Sequence, residues 1–337
     1  MTATHRRIVL ARRPEGPVTP DAFRLEEVPL PSPGPGQVLV RNHFLSLDPY
    51  MRGRMYESKS YAEPQKLDET MVGGTVGLVE ASRDERFAPG DPVMTQLGWQ
   101  EYGVADGRSL MKIDTRAIPM SAYLGPVGMP GVTAWYGLNR ICEPKPGETV
   151  LVSAASGAVG SVVGQLAKAA GCRAVGIAGG REKCAYVVNE LGFDACLDHR
   201  EHRDVPSMAR ALRDAAPKGV DCLFENVGGV CLDAALACMN PFGRVALCGV
   251  IAGYEGGDIA IHEVRALLVS RIRLQGFIVS DHMDLWPRAL AELGQGVASG
   301  RIRYRETIAQ GLAAAPEAFI GLLQGRNFGK QLVKLVE

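Results

Sequence analysis

No cysteine occurs in the first 141 residues of this 337-residue chain. The eight that follow, Cys142, Cys172, Cys184, Cys196, Cys222, Cys231, Cys238 and Cys248, form no C-x-x-C pair. That spacing lacks the close-ligand signature of a zinc site and gives no disulfide framework, so the cysteines read as reduced thiols and no metal is expected. Charge of one sign is missing as well: 37 Lys and Arg balance 37 Asp and Glu. No global field therefore recruits nucleic acid or an anionic membrane surface. No apolar run reaches the length of a membrane span. The opening MTATHRRIVLARRPEG carries basic residues without the apolar stretch and small-residue cleavage site of an export signal. The expectation is a cytoplasmic protein whose partner is a small molecule, with no nucleic acid and no membrane.

A chain of this length has a prior of about two domains, and its 46% hydrophobic and 22% charged residues are ordinary for a globular protein. Residues 6–120 lack helical periodicity. Short β-type runs at Gln37–Leu45, Met71–Val79 and Asp91–Met94, with turns at Pro31–Gly36 and Pro89–Asp91, predict a small barrel or sandwich. Helical character first shows at Thr133–Ile141. From Pro144 the pattern alternates, with strands expected at 149–153, 173–178, 195–198, 220–225, 243–248 and 272–279. Helices are expected between them at 158–170, 181–191, 204–215, 230–239 and 262–269, and another at 284–298. Such α/β alternation predicts a doubly wound parallel sheet with right-handed crossovers. The tail returns to strand, helix, strand, and its last run, Lys330–Val336, is too short for a domain of its own. It is expected to pair back into the N-terminal β domain, making the α/β domain an insertion, with the active site in the cleft between the two.

Val150–Cys172, VLVSAASGAVGSVVGQLAKAAGC, reads as strand, small-residue turn and helix. Gly157 and Gly160 keep side chains out of the turn, so that backbone N–H groups and the helix N-terminus are open to a pyrophosphate. Ala155 stands where G-x-G-x-x-G has its first glycine, so the fingerprint is partial, and small residues in such a turn also serve close packing. The next strand ends in Gly179-Gly180-Arg181-Glu182-Lys183. An NAD site places Asp or Glu there for the ribose hydroxyls. Glycine followed by two cations suits a ribose 2′-phosphate instead, and the cofactor is expected to be NADP(H). A solvated first helical turn is the competing reading of these cations, although cations at a helix N-terminus oppose its dipole unless an anion lies between them.

These segments, with LSLDPYMRGRM (45–55), VGGTVG (72–77), GPVGMPGVTAWYGL (125–138), GFDACLDHRE, FENVGG (224–229), RIRLQGFIVSD (271–281) and NFGKQLVKL (327–335), resemble the zinc-independent medium-chain dehydrogenase/reductases along the whole chain. Within them the chain is most similar to the group of prostaglandin reductases, alkenal double-bond reductases and bacterial NADPH-dependent curcumin reductases, with GGREKC and LDHR pointing to the last. The resemblance implies a GroES-like β-barrel catalytic domain over 1–125, a Rossmann NADP-binding domain over 126–300, and a return to the catalytic domain over 301–337. It implies reduction of an enone or 2-alkenal, with hydride delivered to the β-carbon and the enolate oxygen held by donors. Zinc-assisted alcohol dehydrogenation is excluded, because Val72-Gly73-Gly74 stands in place of the catalytic G-H-E motif.

By the same resemblance Tyr50 and Tyr254 are the candidate catalytic phenols, neutral donors on stiff rings, with Arg52 a candidate for steering an acidic substrate tail. Cofactor contacts carry over to Ser156, Gly157, Ala158, Val159 and Gly160, to Gly180, Arg181, Lys183 and His199, and to Asn226. Cys248, Gly249, Tyr254, Phe277, Ile278, Val279 and Asn327 complete that set. His199 departs from the prostaglandin reductases, which have tyrosine there. A polar loop at 57–69 with Tyr61 reads as a lid or as plain surface. Family members are often dimers, paired through the Rossmann sheet edge, with RIRLQGFI as the expected pairing element. Two readings stay open beside enone reduction: a quinone reductase on the same fold, and a non-catalytic NADP-binding protein.

Overall fold

In a computed structural model, which describes residues 3–336, the β-type runs of the first third become strands, and more of them than the sequence pattern indicates. They are β1 (Thr4–Leu10), β2 (Phe23–Pro29) and β3 (Gln37–Ser46), then a five-residue helix α1 (Tyr50–Arg54), then β4 (Thr75–Ser82), β5 (Pro92–Thr95), β6 (Tyr102–Asp106) and β7 (Met111–Lys112). β1 and β2 pair antiparallel as a two-stranded sheet. β3 takes β4 and β6 antiparallel, and β5 lies between β4 and β7.

Beyond Gly125 the chain forms α2 (Met129–Tyr136), β8 (Thr149–Val152), α3 (Gly160–Ala169), β9 (Arg173–Ala178), α4 (Arg181–Asn189) and β10 (Ala195–Asp198). It continues through α5 (Val205–Ala215), β11 (Val220–Glu225), α6 (Gly229–Leu236), β12 (Met239–Leu247), α7 (Val264–Val269), β13 (Arg273–Gly276) and α8 (Trp286–Ala298). Six of these strands make an all-parallel sheet in the order β10-β9-β8-β11-β12-β13, the doubly wound arrangement. Its central strands are buried on both faces and apolar, every residue of β8 being buried, whereas the edge strand β13 is largely exposed.

The tail supplies β14 (Glu306–Gln310), α9 (Ala315–Leu323) and β15 (Lys330–Lys334). β15 pairs parallel with β14 and antiparallel with β3, so the seven-stranded sheet needs both ends of the chain. Contacts accordingly separate two units, one running to Leu124 and resuming at Glu306, the other Gly125–Arg305. Phe319 of α9 is fully buried against Trp99 at 5.7 Å between ring centroids, and Trp99 stacks on Phe23 at 5.2 Å. Each such buried ring contributes roughly 2 kcal/mol or more, so the tail is part of the first unit's core.

Several elements depart from the sequence pattern. The strand expected over Met71–Val79 begins only at Thr75, because the preceding residues give their hydrogen bonds elsewhere: Met71 N–H donates to Ile8 O and Trp99 N–H to Met71 O, both at 2.9 Å. α1 interrupts a region that showed no helical period. The strand expected over 272–279 ends at Gly276, and Val279 enters a 3-10 turn that runs to Leu285. α7 starts at Val264, after the buried Asp233 carboxylate has accepted from the His262 and Glu263 amides at 3.0 and 3.1 Å. α3 starts two residues late, at Gly160.

Candidate functional site

In the Gly125–Arg305 unit the turn after β8 is built by close approach. A Cβ on Gly160 would lie 2.5 Å from the Ala154 carbonyl oxygen, so only glycine fits at the start of α3. Ala154 has φ +49°, a left-handed conformation that costs an ordinary residue roughly 1 kcal/mol. Ala155 occupies the place of the missing first glycine and is buried, its N–H donating to Ile177 O of β9 at 2.9 Å. The room for its methyl comes from Gly176, where a Cβ would stand 2.8 Å from the Ala155 Cβ. A glycine on the neighbouring strand thus replaces the one the turn lacks. Ser156, Gly157, Ala158 and Val159 then carry the chain to the N-terminus of α3, where Ser161 N–H donates to Gly157 O at 3.0 Å and the Val162 and Val163 amides donate to Val159 O at 3.0 and 3.1 Å.

The end of β9 is the second part. β9 and β10 run parallel with Ala178 opposite Asp198, which brings Gly179-Gly180 beside His199-Arg200. A Cβ on Gly179 would be 2.8 Å from His199 Nε2, and one on Gly180, at φ +96°, would be 3.2 Å from Arg200 Nη1. Asp198 is spent on the backbone: Oδ1 accepts from Gly180 N–H at 2.8 Å and Arg200 N–H at 3.0 Å. Burial opposes ionisation of Asp198, but these two bonds hold its carboxyl below the usual range. Lys183 is half-buried, its ammonium pulled down by burial and then by the Arg200 charge. Burial likewise lowers His199, and Arg200 and Lys183 lower it further against Asp198. Two cations and an imidazole converge here against their own repulsion, which is the electrostatics of a site for a multiply charged anion. Arg181 takes a different part, exposed on the surface with Glu201 at 3.3 Å. Arg200 is the cation that sequence reasoning missed. Its signal is the shared register of two parallel strands that both end in glycine or cations.

The ends of β8, β11 and β12 form the third part. Asn226 donates from Nδ2 to Ser153 O at 2.8 Å and from its amide to Ser153 Oγ at 2.8 Å, tying the turn after β11 to the end of β8. The Cys248 and Gly249 amides donate to Glu225 O at 2.8 and 3.2 Å, and Ile251 and Ala252 donate to Asn226 O and Val227 O at 3.2 and 3.0 Å. This lays the loop from Cys248 along that turn and leads to Tyr254, half-buried at the end of a single 3-10 turn. Burial and the Glu225 charge push the Cys248 thiol up to about 12, so it stays protonated. Phe277, just past β13, is 5.4 Å from the Tyr136 ring and 6.2 Å from Phe224, and His282 stacks on Tyr136 at 4.2 Å. Tyr136 and His282 were not among the site residues expected from the sequence. Ile278 and Val279 follow Phe277 into the 3-10 turn.

In the other unit α1 carries Tyr50 and Arg52. Tyr50 is half-buried, and burial, then the charge of Asp48 and the presence of Tyr61, raise its phenol above the ordinary value of 10.0, with Arg54 opposing. It is a neutral donor at any physiological pH. Arg52 is fully buried, donating from Nη2 to Gly16 O at 2.8 Å, with its guanidinium carbon 4.1 Å from the Tyr56 ring centroid. Asn327 donates to Gly329 O at 2.7 Å in the turn that leads into β15. Among the described residues no group of three His, Cys, Asp or Glu side chains is disposed to hold a metal ion.

Comparison with known proteins finds matches in both units. A family described as N-terminal domain of oxidoreductase matches residues 6–113, and one described as Zinc-binding dehydrogenase matches residues 158–295. The NADPH-dependent curcumin reductase of Escherichia coli (strain K12) is 46% identical over 98% of this chain and 97% of its own length. The 2-alkenal reductase (NADP(+)-dependent) of Nicotiana tabacum is 43% identical over 89% of this chain and 88% of its own. The crystal structure of CurA in complex with NADPH from Vibrio vulnificus superposes with a TM-score of 0.91 at 46% identity, covering 98% of this chain and 99% of that one.

Glu225 gives the site a pH signature. It is fully buried, its Oε1 accepting from the Val227 and Gly228 amides at 2.6 and 2.7 Å, and burial pushes its carboxyl up to about 7 against those bonds. Between 4.5 and about 7 the folded chain holds a proton that the unfolded chain has released, so this residue's contribution is full below 4.5 and is lost as pH rises through 7. The gap corresponds to roughly 3–4 kcal/mol. Glu225→Gln keeps an acceptor for both amides without ionising. Urea unfolding should show this variant gaining on the parent from pH 5 to pH 8, by up to roughly 2–3 kcal/mol; parallel stability curves would sink the assignment.

Proposed function

The chain belongs to the zinc-independent medium-chain dehydrogenase/reductases, in their double-bond reductase group, and on that footing we propose that it is an NADP(H)-dependent enzyme that reduces the carbon–carbon double bond of α,β-unsaturated aldehydes and ketones. What carries this is the end-to-end likeness to reductases named for a curcumin and a 2-alkenal, joined to an anion site of the right composition. The residues present fit NADP: Lys183, His199 and Arg200 surround a pair of glycines, where any Cβ would fill the space a 2′-phosphate needs. Ser156–Gly160 would hold the pyrophosphate at the start of α3. Asn226, Cys248, Gly249, Tyr254, Phe277, Ile278, Val279 and Asn327 are assigned to the nicotinamide half. When bound, the cofactor supplies the hydride that reaches the β-carbon.

The chain's own residues then have to accommodate negative charge arriving on the carbonyl oxygen. We assign that task to the phenols of Tyr50 and Tyr254, since donors aimed where charge develops lower the barrier without reorganising. A neutral phenol is the suitable group, because it does not trap the ground-state carbonyl as an ion pair would. Arg52 is assigned a supporting part: bonded to Gly16 O and stacked under Tyr56, it holds the floor of the Tyr50 segment. Lys183 and Arg200 give the preference for NADPH over NADH.

We further propose a cytoplasmic homodimer formed at the edge of the parallel sheet. β13 is paired on one side only, and α7 ahead of it leaves Val264, Leu268 and Val269 exposed, Leu268 at 79%. Among the described residues no helix is long and apolar enough to cross a membrane.

Three measurements test these assignments. NADPH oxidation should proceed with an aliphatic 2-alkenal or enone at a kcat/KM at least ten-fold above that with a benzoquinone; the reverse order points to a quinone reductase, and no turnover with any activated alkene removes the enzymatic reading. Lys183→Ala with Arg200→Ala should raise the KM for NADPH by about 100-fold, as losing two charge-assisted bonds implies, and leave the KM for NADH within two-fold. Equal losses for both nucleotides would refute the 2′-phosphate assignment. Sedimentation should give a dimer for the parent and a monomer for Leu268→Glu; a monomeric parent rejects the edge interface.

A further inference from the structure

Just ahead of α1 lies a buried charge pair that the proposed reaction does not use directly. Lys330, the first residue of β15, is 3% exposed, and its Nζ donates to Asp48 Oδ1 at 2.6 Å and to Leu47 O at 2.8 Å. Asp48 is itself buried, and its other oxygen accepts from Ser46 Oγ. The Asp48 carbonyl takes the Met51 N–H at 3.1 Å, the bond that starts α1. Glu306 stands opposite Lys330 in the β14–β15 register, its carboxyl raised by burial against Ser121 and the Lys330 charge.

An ammonium this deep costs several kcal/mol unless paired, so the site has to repay that cost in some way. Stability is a weak explanation, since apolar residues of the same volume commonly serve a core as well or better. Geometry is a stronger one. α1 is five residues long, has no side-chain cap at its N-terminus, and is far below the length at which a helix holds itself. Its direction depends on where its ends are anchored. Met51 and Met55 are buried on one side, and the other anchor is Asp48, two residues before Tyr50. The charge of Asp48 also acts on the Tyr50 phenol, as Tyr61 and Arg54 do, and Lys330 is the cation bonded to it.

We infer that Lys330 is a positioning residue of the reaction: through Asp48 it fixes the first turn of α1 and with it the Tyr50 hydroxyl, and it neutralises the Asp48 carboxylate. The inference rests on the assignment of Tyr50 as a donor to the substrate oxygen. A strand from the far end of the chain is then part of the catalytic geometry although it touches neither substrate nor reacting atoms.

The test is a double-mutant cycle on the full-length enzyme, assayed with NADPH and 3-penten-2-one well below each variant's melting midpoint. Lys330→Met leaves Asp48 unpaired and is at risk of not folding. The pair variant Asp48→Asn with Lys330→Met replaces both charges by neutral groups of similar size and carries the test in that case. Relative to the parent, the pair variant should lose at least ten-fold in kcat, hold its NADPH dissociation constant within two-fold, and show a larger primary isotope effect with NADPH deuterated at the transferable position. Tyr50→Phe should lower kcat by a similar factor, and adding the pair variant to it should lower kcat no further. Unchanged kcat and isotope effect in the pair variant, or losses that multiply with those of Tyr50→Phe, overturn the role of Lys330 while leaving Tyr50 in place. A Tyr50→Phe enzyme with the parent's kcat overturns the donor assignment itself, and the inference with it.

Discussion

The antiparallel pairing of β15 with β3 is the contact on which the rest depends. Leu332, Val333 and Lys334 lie opposite Ser46, Leu45 and Phe44, so the last strand of the chain runs along one of the first. With that pairing the first unit has a seven-stranded sheet, a core plugged by Phe319, and a cation beside Asp48. Without it β3 would lose one neighbour, α1 would lose an anchor, and the unit would be open at the place where its short helix begins. It also fixes the architecture of the chain, because 181 residues from Gly125 to Arg305 form a unit of their own between the two halves that β15 joins. Pairing across such a separation is slow to find and entropically costly, and the closed apolar core is what repays it.

How much of this the chain reveals in advance depends on how local each determinant is. The turn after β8 was legible because small residues at Gly157 and Gly160 have few other purposes between a strand and a helix. Its missing glycine was legible as a defect but not as a compensated one, since the compensation sits on β9 at Gly176. The same limit hid Arg200. Read along the chain, it ends the LDHR run without any sign that it contacts the cofactor; only the register of β9 against β10 sets it beside Gly180. Arg181, which a linear reading favours for its place at the helix start, turns outward to Glu201. α1 was illegible for a different reason: five residues are too few to show a helical period, and the bonds that start it come from Asp48 and Pro49 rather than from a cap.

Two of the buried ionisable groups near the proposed chemistry, Lys330 and Glu225, are handled in opposite ways. Lys330 is given a full counter-charge, at 2.6 Å, and a carbonyl as well. Glu225 is given two backbone N–H donors and no cation, so its carboxyl rises toward neutrality. Each solution fits its surroundings. Around Lys330 the structure needs a fixed anchor, and an ion pair with a second hydrogen bond has one geometry. Around Glu225 the need is to order a turn whose Cys248 and Tyr254 neighbours sit in a largely apolar loop.

That separation of charge has a chemical consequence. Lys183 and Arg200 supply positive charge where a phosphate would bind, and the donors assigned to the substrate oxygen are phenols, that of Tyr50 kept neutral by burial. A cation at the oxygen would stabilise the enolate strongly, but it would also bind carboxylates and other anions in the ground state, and its benefit would be spent before the transition state. A phenol strengthens its hydrogen bond as charge accumulates and offers little to an anion that arrives already charged. An enzyme built this way selects its substrates by an activated double bond and an apolar body, and leaves electrostatic selectivity to the cofactor's phosphate.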